Sequence, residues 1–218
     1  MNTARSVSRR AAVAAATVVT ALVLAACGAG SSAAGAPTAT PTTSAPRSAP
    51  AGRYNRADVA FAQRMIPHHR QAIAMADLAR KRASSPKVKA FARKVHKEQQ
   101  PEIRTMTTWL KAWGEQVPRG IEGAGHNPSA TPGMMSTHQM HRLKGALGSA
   151  FDTMFLTMMI KHHQGTVDMA KSEQRHGPYG PAKALAADIV TTQTAEIAQM
   201  RTMLSTGSPT ATTRWMSG

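Results

Sequence analysis

The chain has 218 residues, 42% of them hydrophobic, and a formal net charge of +16 from 27 Lys and Arg against 11 Asp and Glu. Its single cysteine, Cys27, excludes a disulfide framework and a thiolate metal site, so any soft donor must come from the fourteen methionines. The basic excess raises a polyanion as partner, but the Lys and Arg are scattered without interleaved aromatics, which argues against nucleic acid and leaves a solvated face suited to an anionic envelope.

At the N-terminus, Arg5, Arg9 and Arg10 precede an apolar run from Ala11 to Ala26. That run is shorter than the about 20 residues a membrane span needs. With its charged start it reads as a secretory signal over 1–26. The stretch Leu24-Ala25-Ala26-Cys27 resembles a bacterial lipobox. The resemblance implies cleavage before Cys27 and a lipid on that residue. Residues 27–53 then read as the lipidated cysteine followed by an Ala/Ser/Thr/Pro tether with nothing to bury.

The folded domain is expected over 54–206, with 207–218 as a flexible tail. Asn55, with Asp58 three residues on, marks an N-cap and predicts a helix to about Arg82. Ser85-Pro86 reads as N-cap and first helical position of a second helix ending near Trp113. Residues 114–135 are rich in Gly and Pro and form a long crossover. Ser136 and Gln139 make a capping box for a short extra helix reaching about Leu147. In the second half, Gly177 stops a helix and Pro181 starts the next. Four long helices with short turns inside each hairpin predict an all-α antiparallel four-helix bundle.

The two hairpins repeat each other at a constant spacing of 94 residues, over 58–110 and 152–204. Asp58 matches Asp152, Phe61 matches Phe155 and Met65 matches Met159. His68-His69 matches His162-His163, and Met75 matches Met169. On the partner helices Gln99, Glu102, Ile103, Met106 and Leu110 match Gln193, Glu196, Ile197, Met200 and Leu204.

At about 100° per residue, Asp58, Phe61, Met65, both histidines, Ala72 and Met75 fall on one stripe of the first helix. The second repeat draws the same stripe. Glu102 and Glu196 point into the same interior from the partner helices, where a carboxylate needs a partner or a metal. A methionine stripe alone is ordinary core filling, and one buried histidine is usually a hydrogen-bonded core residue. Four histidines at duplicated positions, flanked by Met and facing Glu, point to metal ligation. The candidate set is His68, His69, His162, His163, Met65, Met159, Met75, Met169, Glu102 and Glu196. Hydrogen bonding to imidazole is the rival role for the two Glu, and orienting or capping the rival role for Asp58 and Asp152. A looser second site is read from Met134, Met135, His138, Met140 and His141; incidental Met at a polar helix start is the alternative. His96, His126 and His176 read as surface or structural. Imidazole with thioether favours copper, as Cu(I) or Cu(II), over zinc or iron, and silver would bind the thioethers likewise.

These motifs, with Pro132-Gly133-Met134-Met135 in the crossover, resemble the bacterial family called domain of unknown function 305. The resemblance spans 54–206. It implies a ferritin-like four-helix bundle in exported proteins, some of which bind copper and support copper resistance. The chain departs from the pattern at His138 and His141 and at Thr166-Val167. The expected function is a lipid-anchored protein on the outer face of the cytoplasmic membrane. It would bind copper to buffer it, sequester it or hand it to a partner the sequence does not name. The rivals are a ferritin-like metal-dependent oxidase and an envelope adaptor bundle. The oxidase needs Glu-x-x-His on two helices, a pattern the chain does not supply, and no nucleophile–base pair is evident.

Overall fold

The computed structural model describes residues 52–121 and 131–207. Five helices follow in order: α1 Arg56–Arg82, α2 Pro86–Trp113, α3 Thr137–Gly145, α4 Gly148–His176 and α5 Gly180–Gly207. The signal, the lipobox cysteine, the tether up to Ala51, His126 and the tail from residue 208 lie outside the described residues.

α1, α2 and α3 start where side chains can satisfy their free N–H groups. The Asn55 side chain accepts from Ala57 N at 2.7 Å, and Asp58 Oδ2 accepts from Asn55 N at 2.7 Å, closing a capping box. Ser85 caps α2 ahead of Pro86, and Ser136 with Gln139 caps α3. α1 and α2 run through Pro67 and Pro101, each of which removes one intrahelical N–H. Both prolines stand in the first repeat only, directly before His68 and Glu102.

The four long helices form an antiparallel bundle of two hairpins, α1–α2 and α4–α5. Contacts along α1 fix its direction against α4. Asn55 Nδ2 donates to His176 O at 3.0 Å, the rings of His68 and His162 meet midway, and Ser84 N donates to Asp152 Oδ1 at 3.2 Å. The matched aspartates sew the hairpins together. Asp58 Oδ1 accepts from Tyr179 N in the α4–α5 turn at 3.0 Å, and Asp152 Oδ2 accepts from Ser85 N in the α1–α2 turn at 2.8 Å. Each therefore caps and orients, the second of the two roles the sequence left open.

The core divides into two apolar clusters along the bundle axis. One holds Met75, Val88, Phe91, Phe151, Phe155, Met159 and Met200; the other holds Phe61, Met65, Ile66, Met106, Trp109, Trp113 and Tyr179. The histidine pairs lie between them along α1 and α4. Among the described residues no helix is long and apolar enough to cross a membrane.

Candidate metal centre

His68, His69, His162 and His163 are each fully buried. One pair comes from α1 and one from α4, and the antiparallel docking sets them side by side. The rings of His68 and His162 have centroids 3.8 Å apart, and those of His162 and His163 are 6.4 Å apart. Burial pushes the His68 imidazole down to about 3, the Pro132 carbonyl opposing this only in part. Burial pushes His162 well below its ordinary value, and lowers His163 against the pull of Glu196. These three rings are neutral at pH 7, the form that binds a metal.

The partner helices hold the outer nitrogens. His69 Nε2 lies 2.6 Å from Glu102 Oε2, and His163 Nε2 lies 2.9 Å from Glu196 Oε2. The two contacts occupy equivalent places in the repeat, but their settings differ. The Glu102 side chain is 20% exposed and Glu196 only 3%. Lys94, reaching across from the other hairpin, also binds Glu196 at 2.7 Å. Burial alone would raise the Glu196 carboxyl, but the bonds from His163 and Lys94 outweigh it and hold it at about 2.

The remaining nitrogens are less well served. Nδ1 of His69, Nδ1 of His163 and both ring nitrogens of His162 are buried with no hydrogen-bond partner in good geometry. A buried polar atom left unsatisfied costs about 1–3 kcal/mol, so four such atoms in one layer need a reason. His68 differs: its Nε2 lies 2.9 Å from Pro132 O, and its Nδ1 lies 3.2 Å from Thr166 Oγ1.

Thioethers flank this layer on both sides. Met65 precedes His68 and Met75 follows it, so the two lie at opposite ends of the layer and in different clusters. Because α4 runs antiparallel, Met159 joins Met75 in one cluster, and Met169 packs with Met65 against the other. Met65, Met75 and Met159 are fully buried, whereas Met169 is half-buried. Met106 and Met200 add a further buried thioether to each end.

Unclaimed imidazole nitrogens between methionine clusters fit a copper-type ion, which takes both donor types. Among the described residues, no three His, Cys, Asp or Glu side chains are already set at coordination geometry. The donors are gathered into a layer without being closed on a point.

Family membership follows from comparison with known proteins. The domain of unknown function DUF305 matches residues 58–204. The chain belongs to the DUF305 family. Its fold is shared by CopM in the Cu(I)-bound form, at 32% identity over 68% of this chain and 96% of that one, with a TM-score of 0.57. CopM in the Cu(II)-bound form matches at 32% identity over the same shares, with a TM-score of 0.59. A DUF305 protein from Streptomyces coelicolor matches at 29% identity over 69% of this chain and 93% of that one, with a TM-score of 0.63. No curated protein matches the chain.

Several sequence expectations divide here. The five residues read as a second site do not share a face. Met135 is buried, Met140 packs on the core, Met134 is half-buried, and His138 and His141 are exposed on α3. The chain does carry one Glu-x-x-His spacing, Glu173 to His176, at the end of α4. Its His176 is exposed and bonded to Ser172, so the spacing builds no di-metal site. Residues to which the sequence reading gave no part in the site are Gln71, Lys94, Pro132 and Thr166. The signal for two of them was a break in the repeat beside the histidines: Gln71 stands opposite Gly165, and Ala72 opposite Thr166.

Proposed function

We propose that this protein binds copper, and silver in its place, in the imidazole layer between α1 and α4. The observation that carries the reading is four fully buried imidazoles, from equivalent positions of two repeats, with four ring nitrogens unclaimed between methionine clusters. His68, His69, His162 and His163 are the nitrogen donors. Met65 and Met159, with Met75 and Met169, are the thioether donors. Glu102 and Glu196 orient imidazoles and raise their basicity, as acceptors behind metal-bound histidines do. CopM, similar in fold and sequence, is known in Cu(I)-, Cu(II)- and Ag-bound forms, which supports the choice of ion.

We read the site as a binding site. Its role is buffering or sequestration of copper outside the cytoplasm, in the service of copper resistance. Export rests on the signal over 1–26, and anchoring on Cys27 in its lipobox-like setting. Cys27→Ser should release the protein from the membrane fraction; unaltered membrane association would remove the anchor from the account.

The binding claim is tested by titrating the untagged protein with Cu(I), Ag(I) and Cu(II). The wild type should bind each saturably. His68→Ala with His69→Ala, and His162→Ala with His163→Ala, should each remove most of the tight binding. Unchanged affinity and stoichiometry in both variants would refute the ligand assignment.

A further inference from the structure

The crossover between the hairpins does more than connect them. Its segment Thr131–Met135 lies across the histidine layer and is held from both sides. From α1, the buried amide of Gln71 grips the Met135 backbone twice: Nε2 donates to Met135 O at 2.9 Å, and Oε1 accepts from Met135 N at 2.7 Å. On α4, Gly165 leaves room for the strap, since a Cβ there would run into the Pro132 carbonyl. Gly133 meets the same helix, where a Cβ would stand 2.8 Å from Lys161 O, and its φ of +80° is a conformation that glycine alone adopts freely. Gln71 and Gly165 occupy matching positions of the two repeats. The repeat is broken where the strap passes, with one side supplying a clamp and the other a groove.

The strap sets Pro132 O against His68 Nε2. A carbonyl only accepts, so the proton of the neutral ring must sit on Nε2, and Nδ1 carries a free lone pair. His68 Nδ1 lies 3.2 Å from Thr166 Oγ1, which also lies 3.2 Å from His162 O. A hydroxyl has one proton to give. When an ion takes the Nδ1 lone pair, Thr166 can donate to the His162 carbonyl and no hydrogen bond is orphaned. His162 lacks the hydroxyl: the residue that matches Thr166 in the first repeat is Ala72.

We propose that the Thr131–Met135 strap, clamped by Gln71 and seated on Gly165, locks His68 in the Nε2–H tautomer and so presents Nδ1 as its coordinating atom. Gln71 is then a positioning residue for a metal ligand it does not touch. The inference rests on reading the imidazole layer as a metal site. It adds that the crossover selects which nitrogen of His68 binds and makes the two repeats unequal.

The test is long-range proton–nitrogen correlation NMR on uniformly labelled protein, metal-free and then with Ag(I), which is diamagnetic. The metal-free wild type should show His68 protonated at Nε2 and bare at Nδ1, and Ag(I) should move the Nδ1 resonance. Gln71→Ala should leave His68 exchanging between tautomers and lower Ag(I) affinity by about 10–100-fold, with His69 and His163 unchanged. Gly165→Ala should displace the strap from the other side and give the same result, should Gln71→Ala fail to fold. Nδ1–H in the metal-free wild type would overturn the proposal, as would a folded strap variant with unchanged tautomer and affinity. Nε2–H at His68 in a protein that takes up no Ag(I) would uphold the tautomer lock and defeat the metal reading instead.

Discussion

The imidazoles of His68 and His162, one from each repeat, lie with ring centroids 3.8 Å apart and planes tilted by 44°. Two protonated rings could not share that space, and burial holds both in the neutral form. Both nitrogens of His162 are buried without a hydrogen bond in good geometry. His162→Leu should therefore stabilise the metal-free protein by about 1–3 kcal/mol while weakening copper binding. Urea denaturation beside metal titration checks both halves. The wild type should also be acid-sensitive. The folded pKa of His68, about 3, lies below its ordinary 6.5, so the unfolded chain binds protons first. Its contribution is complete above about pH 6.5 and is lost as pH falls toward 3.

Glu102 and Glu196 each accept from the Nε2 of a histidine, so removing either should weaken metal binding through the imidazole. Glu102→Ala and Glu196→Ala should lower affinity by about 10–100-fold with the number of ions bound unchanged. Glu196→Ala should also cost about 1–3 kcal/mol of stability, because the His163 N–H loses its acceptor in a closed site. Water can replace the more exposed Glu102. A fall in the number of ions bound would make the carboxylates ligands.

The methionines separate soft from hard chemistry. Met75→Leu with Met159→Leu, and Met65→Leu with Met169→Leu, each alter one end of the layer. Each substitution nearly conserves volume and should cost less than about 1.5 kcal/mol. Binding of Cu(I) and Ag(I) should fall far more than that of Cu(II). Equal loss for every ion would indicate a packing defect, and no loss would make these methionines core filler.

Glu173 gives a pH effect of opposite sign at the far end of α4. Its two carboxyl oxygens are buried without a hydrogen bond in good geometry. Burial, with Asp58 beside it and Lys183 opposing, pushes the carboxyl up to about 8 from an ordinary 4.5. The folded state thus holds the proton more tightly than the unfolded one. The contribution is complete below about pH 4.5 and is lost as pH rises through 8. Glu173→Gln should remove the decline between pH 6 and 9 in urea denaturation. Parallel pH profiles for the two proteins would contradict this.

The helix ends and the repeat were legible because their causes are local: Asn55 with Asp58 and Ser136 with Gln139 are caps readable from a few residues. The histidine face was legible from helical period. What could not be read depends on docking between helices. Met65 and Met159 occupy matching positions of the two repeats, yet the antiparallel approach of α4 places them at opposite ends of the layer. The hold of Pro132 on His68 depends on the path of an irregular crossover, for which periodicity carries no signal. His138 and His141 face outward because Leu143 and Met140 supply the inner face of α3.

The central claim, a copper site built from these imidazoles and thioethers, is tested most directly by X-ray absorption at the copper edge of the Cu(I)-loaded protein. The account predicts a first shell containing nitrogen and sulfur, with outer scattering from imidazole rings that is lost when His68, His69, His162 and His163 are replaced. A shell of oxygen alone, or imidazole scattering that survives those replacements, would contradict it.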